Sequence, residues 1–175
     1  MVTGPRRAAA GFTLIEMLVV VVIIGVLAGF SVLSISTRSL DDRLGLEAER
    51  LEKLIALAAE EAEIQGIEIG LHLEKDRYEF LTLSPEGAWA PLTDNGALRQ
   101  RSIPEPLQAR LSVEGRPANT STTNSETLTP QVLLLSSGEV SPFVLELLAP
   151  GLKHSYRLES DVLGRFKLER KELKS

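Results

Sequence analysis

The chain has 175 residues, 43% of them hydrophobic and 25% charged, with a formal net charge of −5. Those values fit one folded domain with at most an appendage, and they exclude a uniformly disordered chain. The absence of cysteine rules out disulfides, thiolate metal sites and cysteine nucleophiles; two histidines are too few for a histidine metal cluster; and the acidic balance argues against a general nucleic-acid binder.

Charge is segregated along the chain. Residues 1–11 carry Arg6 and Arg7 and no acid. From Phe12 to Ser36 the one charged residue is Glu16, and Met17 to Ile35 is uncharged throughout. At about 1.5 Å per residue that uncharged run spans about 28 Å, close to the roughly 30 Å of a hydrocarbon core. A cleaved secretory signal and a plain membrane anchor are the ordinary readings of such a run. Glu16 fits neither, because a carboxylate in hydrocarbon costs about 2.5–3.5 kcal/mol even on a lenient insertion scale. It needs a partner. A cut just before Phe12 would create an α-amine one helical turn away. The triplet Ala8-Ala9-Ala10 resembles a small-residue cleavage site but lies upstream of the apolar run, where a signal peptide does not place it.

The string Gly11-Phe12-Thr13-Leu14-Ile15-Glu16-Met17-Leu18-Val19-Val20 resembles the prepilin-peptidase site of type IV pilins and of the pseudopilins of type II secretion. The resemblance implies cleavage after Gly11, N-methylation of Phe12, and neutralisation of an α-amine by Glu16 when subunits stack their helices. Arg6 and Arg7 should stay cytoplasmic by the positive-inside rule, so the C-terminal bulk is expected to face the periplasm or exterior.

The run continues as a helix. Leu44, Leu51, Ile55, Ala58 and Ala62 recur on one amphipathic face, with Glu47, Glu49, Arg50, Glu52, Lys53, Glu60, Glu61 and Glu63 placed largely off it. No proline interrupts Phe12 to Gln65, and Gly66 is a stop signal. Gly25 and Gly29 form a GxxxG, read either as a close helix–helix approach or as chance in a helix tolerant of small residues. Gly45 would loosen the helix if it stays helical.

From Gly66 the period becomes two. Ile67, Ile69, Leu71 and Leu73 predict a half-buried strand, and Tyr78 and Phe80 a second one beyond the turn Glu74-Lys75-Asp76. Ser84-Pro85-Glu86-Gly87 predicts a turn, and Pro91 confines Trp89 to Leu92 to an edge strand or loop. Leu107 to Val113, Val132 to Leu135, Phe143 to Leu148, Tyr156 to Leu158 and Phe166 to Leu168 predict further short strands, with a turn at Ser136-Ser137-Gly138-Glu139. Residues 117–130 read as a loop, either a contact loop or a tolerated insertion.

The Ala/Glu-rich helix end Leu57-Ala58-Ala59-Glu60-Glu61-Ala62, the step Trp89-Ala90-Pro91-Leu92, and Ser137-Gly138-Glu139 with Pro142-Phe143 are similar to the H-type minor pseudopilins of type II secretion. Ser136-Ser137 departs slightly from that family's usual Pro-Ser. The resemblance implies a helix followed by two β-sheets, and a place near the tip of a periplasmic pseudopilus. The expected fold is thus α+β and pilin-like. Residues 1–11 form a cleaved leader, 12–36 a transmembrane and filament-core helix, 37–65 its amphipathic continuation, and 66–175 a mostly antiparallel β head.

Little suggests catalysis. His72 and His154 read as surface residues, and a triad cannot be read from scattered Ser, His and Asp. Asp94-Asn95-Gly96 reads as a turn rather than a calcium loop. Arg165, Lys167, Arg170, Lys171 and Lys174 read as a solvated basic tail, the one hint of nucleic-acid binding. No cofactor or metal is expected. The expected partners are the prepilin peptidase, the other minor pseudopilins, the major pseudopilin and, before assembly, the inner membrane. A minor type IV pilin for adhesion, motility or DNA uptake, or an exported β-domain whose leader is simply removed, are the alternatives.

Overall fold

The computed structural model describes residues 14–92, 96–120 and 128–173, with the backbone alone for 27–38. Two compact units divide the chain, residues 1–39 and 40–175. Helix α1 is Leu14–Gln65, and its residues from Leu40 onward belong to the second unit. It ends where the sequence predicts. Gly66 takes a φ of +67°, and the Ile67 N–H reaches back 3.1 Å to the Ala62 carbonyl, closing the last turn in the glycine-dependent way.

Ten strands follow: β1 Ile69–Leu73, β2 Arg77–Leu83, β3 Trp89–Pro91, β4 Arg101–Ser102, β5 Gln108–Val113, β6 Arg116–Pro117, β7 Val132–Leu134, β8 Phe143–Leu148, β9 His154–Ser160 and β10 Phe166–Glu172. They form two sheets. The first runs β3-β2-β1-β7, with β4 also on β2; the second runs β10-β9-β8-β5-β6. Every pairing among the named strands is antiparallel. Helix plus two sheets is the α+β architecture that the sequence resemblance implies.

The core lies between the helix and the sheets. Leu44, Leu51, Ile55, Ala58 and Ala62, the predicted face, are all buried, and Ala48 and Leu54 join them. The first sheet contributes Ile69, Leu71, Leu73, Tyr78 and Phe80, which the strand period places on one face. Across the second sheet the register aligns Leu111, Leu145, Leu158 and Leu168 in one row over β5, β8, β9 and β10.

Two expectations change. β4 and β6 were not predicted, and at two residues each they are too short to show a period. The predicted basic tail is instead largely β10, paired with β9 over seven residues. The predicted turn at Asp94-Asn95 lies outside the described residues, as do residues 121–127 within the expected loop.

Candidate assembly site

Gly11 and Phe12 lie outside the described residues. The description begins at Leu14, and Glu16 is the acid in the first helical turn. A carboxylate there is favoured by the unpaired backbone N–H groups and the positive end of the helix dipole. Beyond it the helix is apolar on every side. Leu14 is 86% exposed and even the most covered of the neighbouring large side chains, Val20, is 42% exposed. An amphipathic surface helix hides one stripe; a helix that is apolar all round belongs in a bilayer or in a protein core. Leu14 to Val26 spans about 20 Å, and among the described residues no helix is long and apolar enough to cross a membrane. Gly25 faces open space, with nothing within 4 Å of an added Cβ, and the surroundings of Gly29 lie outside the described residues.

Two polar clusters tie the amphipathic part of α1 to the sheets. Glu47 is 3% exposed, which corrects its placement off the buried face. Its spacing was the available signal, since it stands three residues after Leu44 and four before Leu51. Its carboxylate accepts from Arg50 at 2.8 Å and from the Tyr78 hydroxyl at 3.3 Å. Burial, then the nearby Glu47 charge and its hydrogen bond, hold the Tyr78 hydroxyl protonated far above the ordinary phenol range. The linkage has a definite sign. The folded chain keeps the proton, while the unfolded phenol ionises near about pH 10, so stability falls as pH rises beyond about 10. Urea unfolding of wild type and Tyr78→Phe at about pH 8 and pH 11 is expected to show a smaller alkaline loss in the variant. Near neutrality the same variant is expected to lose about 0.5–1.5 kcal/mol with its hydrogen bond.

The second cluster corrects the surface reading of His154, which is 5% exposed. Its Nε2 donates to Asp41 Oδ1 at 2.7 Å, and its Nδ1 accepts from Arg170 at 3.2 Å, which fixes the neutral tautomer. His72 is also largely covered, with Nδ1 2.8 Å from the Thr129 carbonyl. Of the cations expected in a basic tail, three have partners. Arg165 pairs with Asp161 at 2.6 Å, Lys167 with Glu169 at 2.6 Å, and Arg170 meets His154. Among the described residues no group of three or more His, Asp or Glu could hold a metal ion.

Comparison with known proteins accounts for both halves of this arrangement. The prokaryotic N-terminal methylation motif matches residues 6–32, and the type II transport protein GspH family matches residues 47–164. The chain is 41% identical over 152 residues to type II secretion system protein H of Pseudomonas aeruginosa, covering 83% of this chain and 86% of that protein. It is 28% identical over 173 residues to the protein of the same name from Aeromonas hydrophila, covering 93% and 94%. The crystal structure of the minor pseudopilin EpsH from the type II secretion system of Vibrio cholerae superposes with a TM-score of 0.64 at 25% identity, covering 78% of this chain and 99% of that one. The helix with its two antiparallel sheets, the methylation motif over the start of that helix and these matches together make the chain a member of the type II transport protein GspH family.

Proposed function

We propose that the chain is a minor pseudopilin, a structural subunit and not a catalyst, at or near the tip of a type II secretion pseudopilus that supports protein export across the outer membrane. The observation that carries this reading is the all-round apolar, exposed start of α1, which lies within a methylation motif. Such a surface is not stable in water, so before assembly it resides in the inner membrane, and afterwards among the helices of other subunits. The sequence continues the run without charge from Val26 to Ile35, long enough to complete a span.

In this reading a prepilin peptidase removes residues 1–11, with Arg6 and Arg7, and the new N-terminal Phe12 is methylated. The head of residues 66–175 is periplasmic. Glu16 pairs with an α-amine as the helix leaves the bilayer, because the low dielectric among packed helices makes an unpaired carboxylate costly. The close approach of Gly25 and Gly29 to a neighbouring helix belongs to the assembled filament.

Intact-mass measurement and N-terminal sequencing of the chain from its native membrane test this. A start at methylated Phe12 is expected. A start beyond the apolar run would instead indicate a removed secretory leader and end the filament reading. Gly11→Val is expected to leave the leader attached, because the peptidase must admit the residue before the cut. Gel mobility reads this, and full processing of the variant would contradict it.

A further inference from the structure

We propose that His72, Gln131 and a notch over Gly70 form a clamp on the outer face of the first sheet, and that the imidazolium form of His72 closes it.

The strand period of β1 sends Ile69, Leu71 and Leu73 into the core, so Gly70 and His72 face outward. The chain leading into β7 lies over them. Pro130 fills the space a side chain at position 70 would need: an added Cβ there would stand 2.3 Å from Pro130 Cβ and 3.3 Å from the Trp89 ring. Gln131 follows. Its backbone N–H donates to the Leu71 carbonyl at 3.0 Å. Its side-chain oxygen accepts from the Leu73 N–H at 2.8 Å, and its side-chain nitrogen donates to the Leu73 carbonyl at 3.2 Å. A primary amide thus stands in for a peptide group and extends the β1–β7 ladder by a step. The same nitrogen donates to the Asn119 carbonyl at 3.2 Å, so one side chain also holds the chain just after β6.

His72 closes the other side. Its Nδ1 is 2.8 Å from the Thr129 carbonyl, and its Nε2 is 3.4 Å from Glu74 Oε1. A carbonyl and an ionised carboxylate both only accept. A neutral ring has one N–H and serves one of them, setting its other lone pair against an acceptor. The imidazolium serves both. Charged groups stand around the ring. Glu74, 5% exposed, stands at the end of β1, and Glu79 is the cross-strand neighbour on β2. Arg77 on β2 is the countercharge, paired with Glu74 at 2.8 Å. Lys75 and Asp76 in the connecting turn are exposed, and residues 129–131 and β3 bring no charge. The closed clamp therefore belongs to the acidic side of the imidazole titration, and it loosens as rising pH removes the ring proton.

The test uses the full-length chain in detergent micelles, 15N-labelled, with ring-nitrogen spectra and amide protection factors read at about pH 5.5 and pH 8.5. The expected result is a doubly protonated His72 ring at the lower pH. At the higher pH, protection of the Leu73 and Gln131 amides is expected to fall about threefold to tenfold relative to amides of β8. In His72→Phe that protection is expected to be low at both pH values. In Glu74→Gln, whose amide can donate to a neutral Nε2, it is expected to stay high at both. Equal protection of the wild type at the two pH values overturns the proposal, and so does a His72→Phe variant as protected as the wild type.

Discussion

Glu16→Ala is expected to be processed normally yet to fall at least about tenfold in its incorporation into pseudopili. In the proposed reading the cut lies before Phe12, one helical turn upstream, and a small apolar replacement would leave the peptidase's substrate little changed. Assembly is a different matter. In the proposed assembly the subunit's helix would enter a packed apolar environment, where an unpaired ammonium costs several kcal/mol. Each 1.4 kcal/mol is a factor of ten in an equilibrium, so removing the counter-charge is expected to act strongly. Sheared pseudopili probed for the subunit, beside total membrane protein, measure the ratio. Wild-type incorporation would show that the carboxylate is not the amine's partner. Glu16→Asp is expected to recover part of the loss, since it keeps the charge and shortens the reach.

Phe80→Ala is expected to destabilise the second unit by about 3–5 kcal/mol. Phe80 is 1% exposed, lies on the core face of β2 and is paired in register with Leu71. Truncation loses the transfer free energy of the ring and leaves a cavity that helix and sheet can only partly close. Against a typical total of about 5–15 kcal/mol, that is a large share. Leu83→Ala is the internal control. It lies on the same strand, on the opposite face and 38% exposed, and is expected to change stability by about 1 kcal/mol or less. Urea midpoints of the two variants measure the contrast. Equal midpoints would mean that the inner face of β2 is not part of the core.

The long-period features of this fold were legible in the sequence and the long-range ones were not. The helix end at Gln65 and Gly66 and the full extent of β8 follow from spacing alone, because the hydrophobic period and the turn glycines are local properties. The face of Leu44, Leu51, Ile55, Ala58 and Ala62 was legible for the same reason. His154 was not. Its local string Lys-His-Ser-Tyr looks solvated, and the group that buries it, Asp41, stands 113 residues away. Nor was the part of β10 beyond Leu168, whose charges suggest a free tail until β9 pairs with it. At the assembly site the motif from Gly11 to Val20 was legible as a string, but the exposure of the helix surface around it is a property of three dimensions.

The free edge of the second sheet has a consequence for life in a crowd. Among the described residues β10 is the outermost strand, so its outer backbone groups could template another strand, and in the proposed pseudopilus subunits gathered around one fibre would meet at high local concentration. Lys167, Glu169 and Lys171 alternate along one face of it. If a second copy of β10 were laid antiparallel with Glu169 opposite Glu169, Lys167 would stand opposite Lys171. Every one of these facing pairs repels. The strand thus discourages sticking to its own kind in that register, and a head decorated this way can be packed beside its copies without zipping into the wrong polymer.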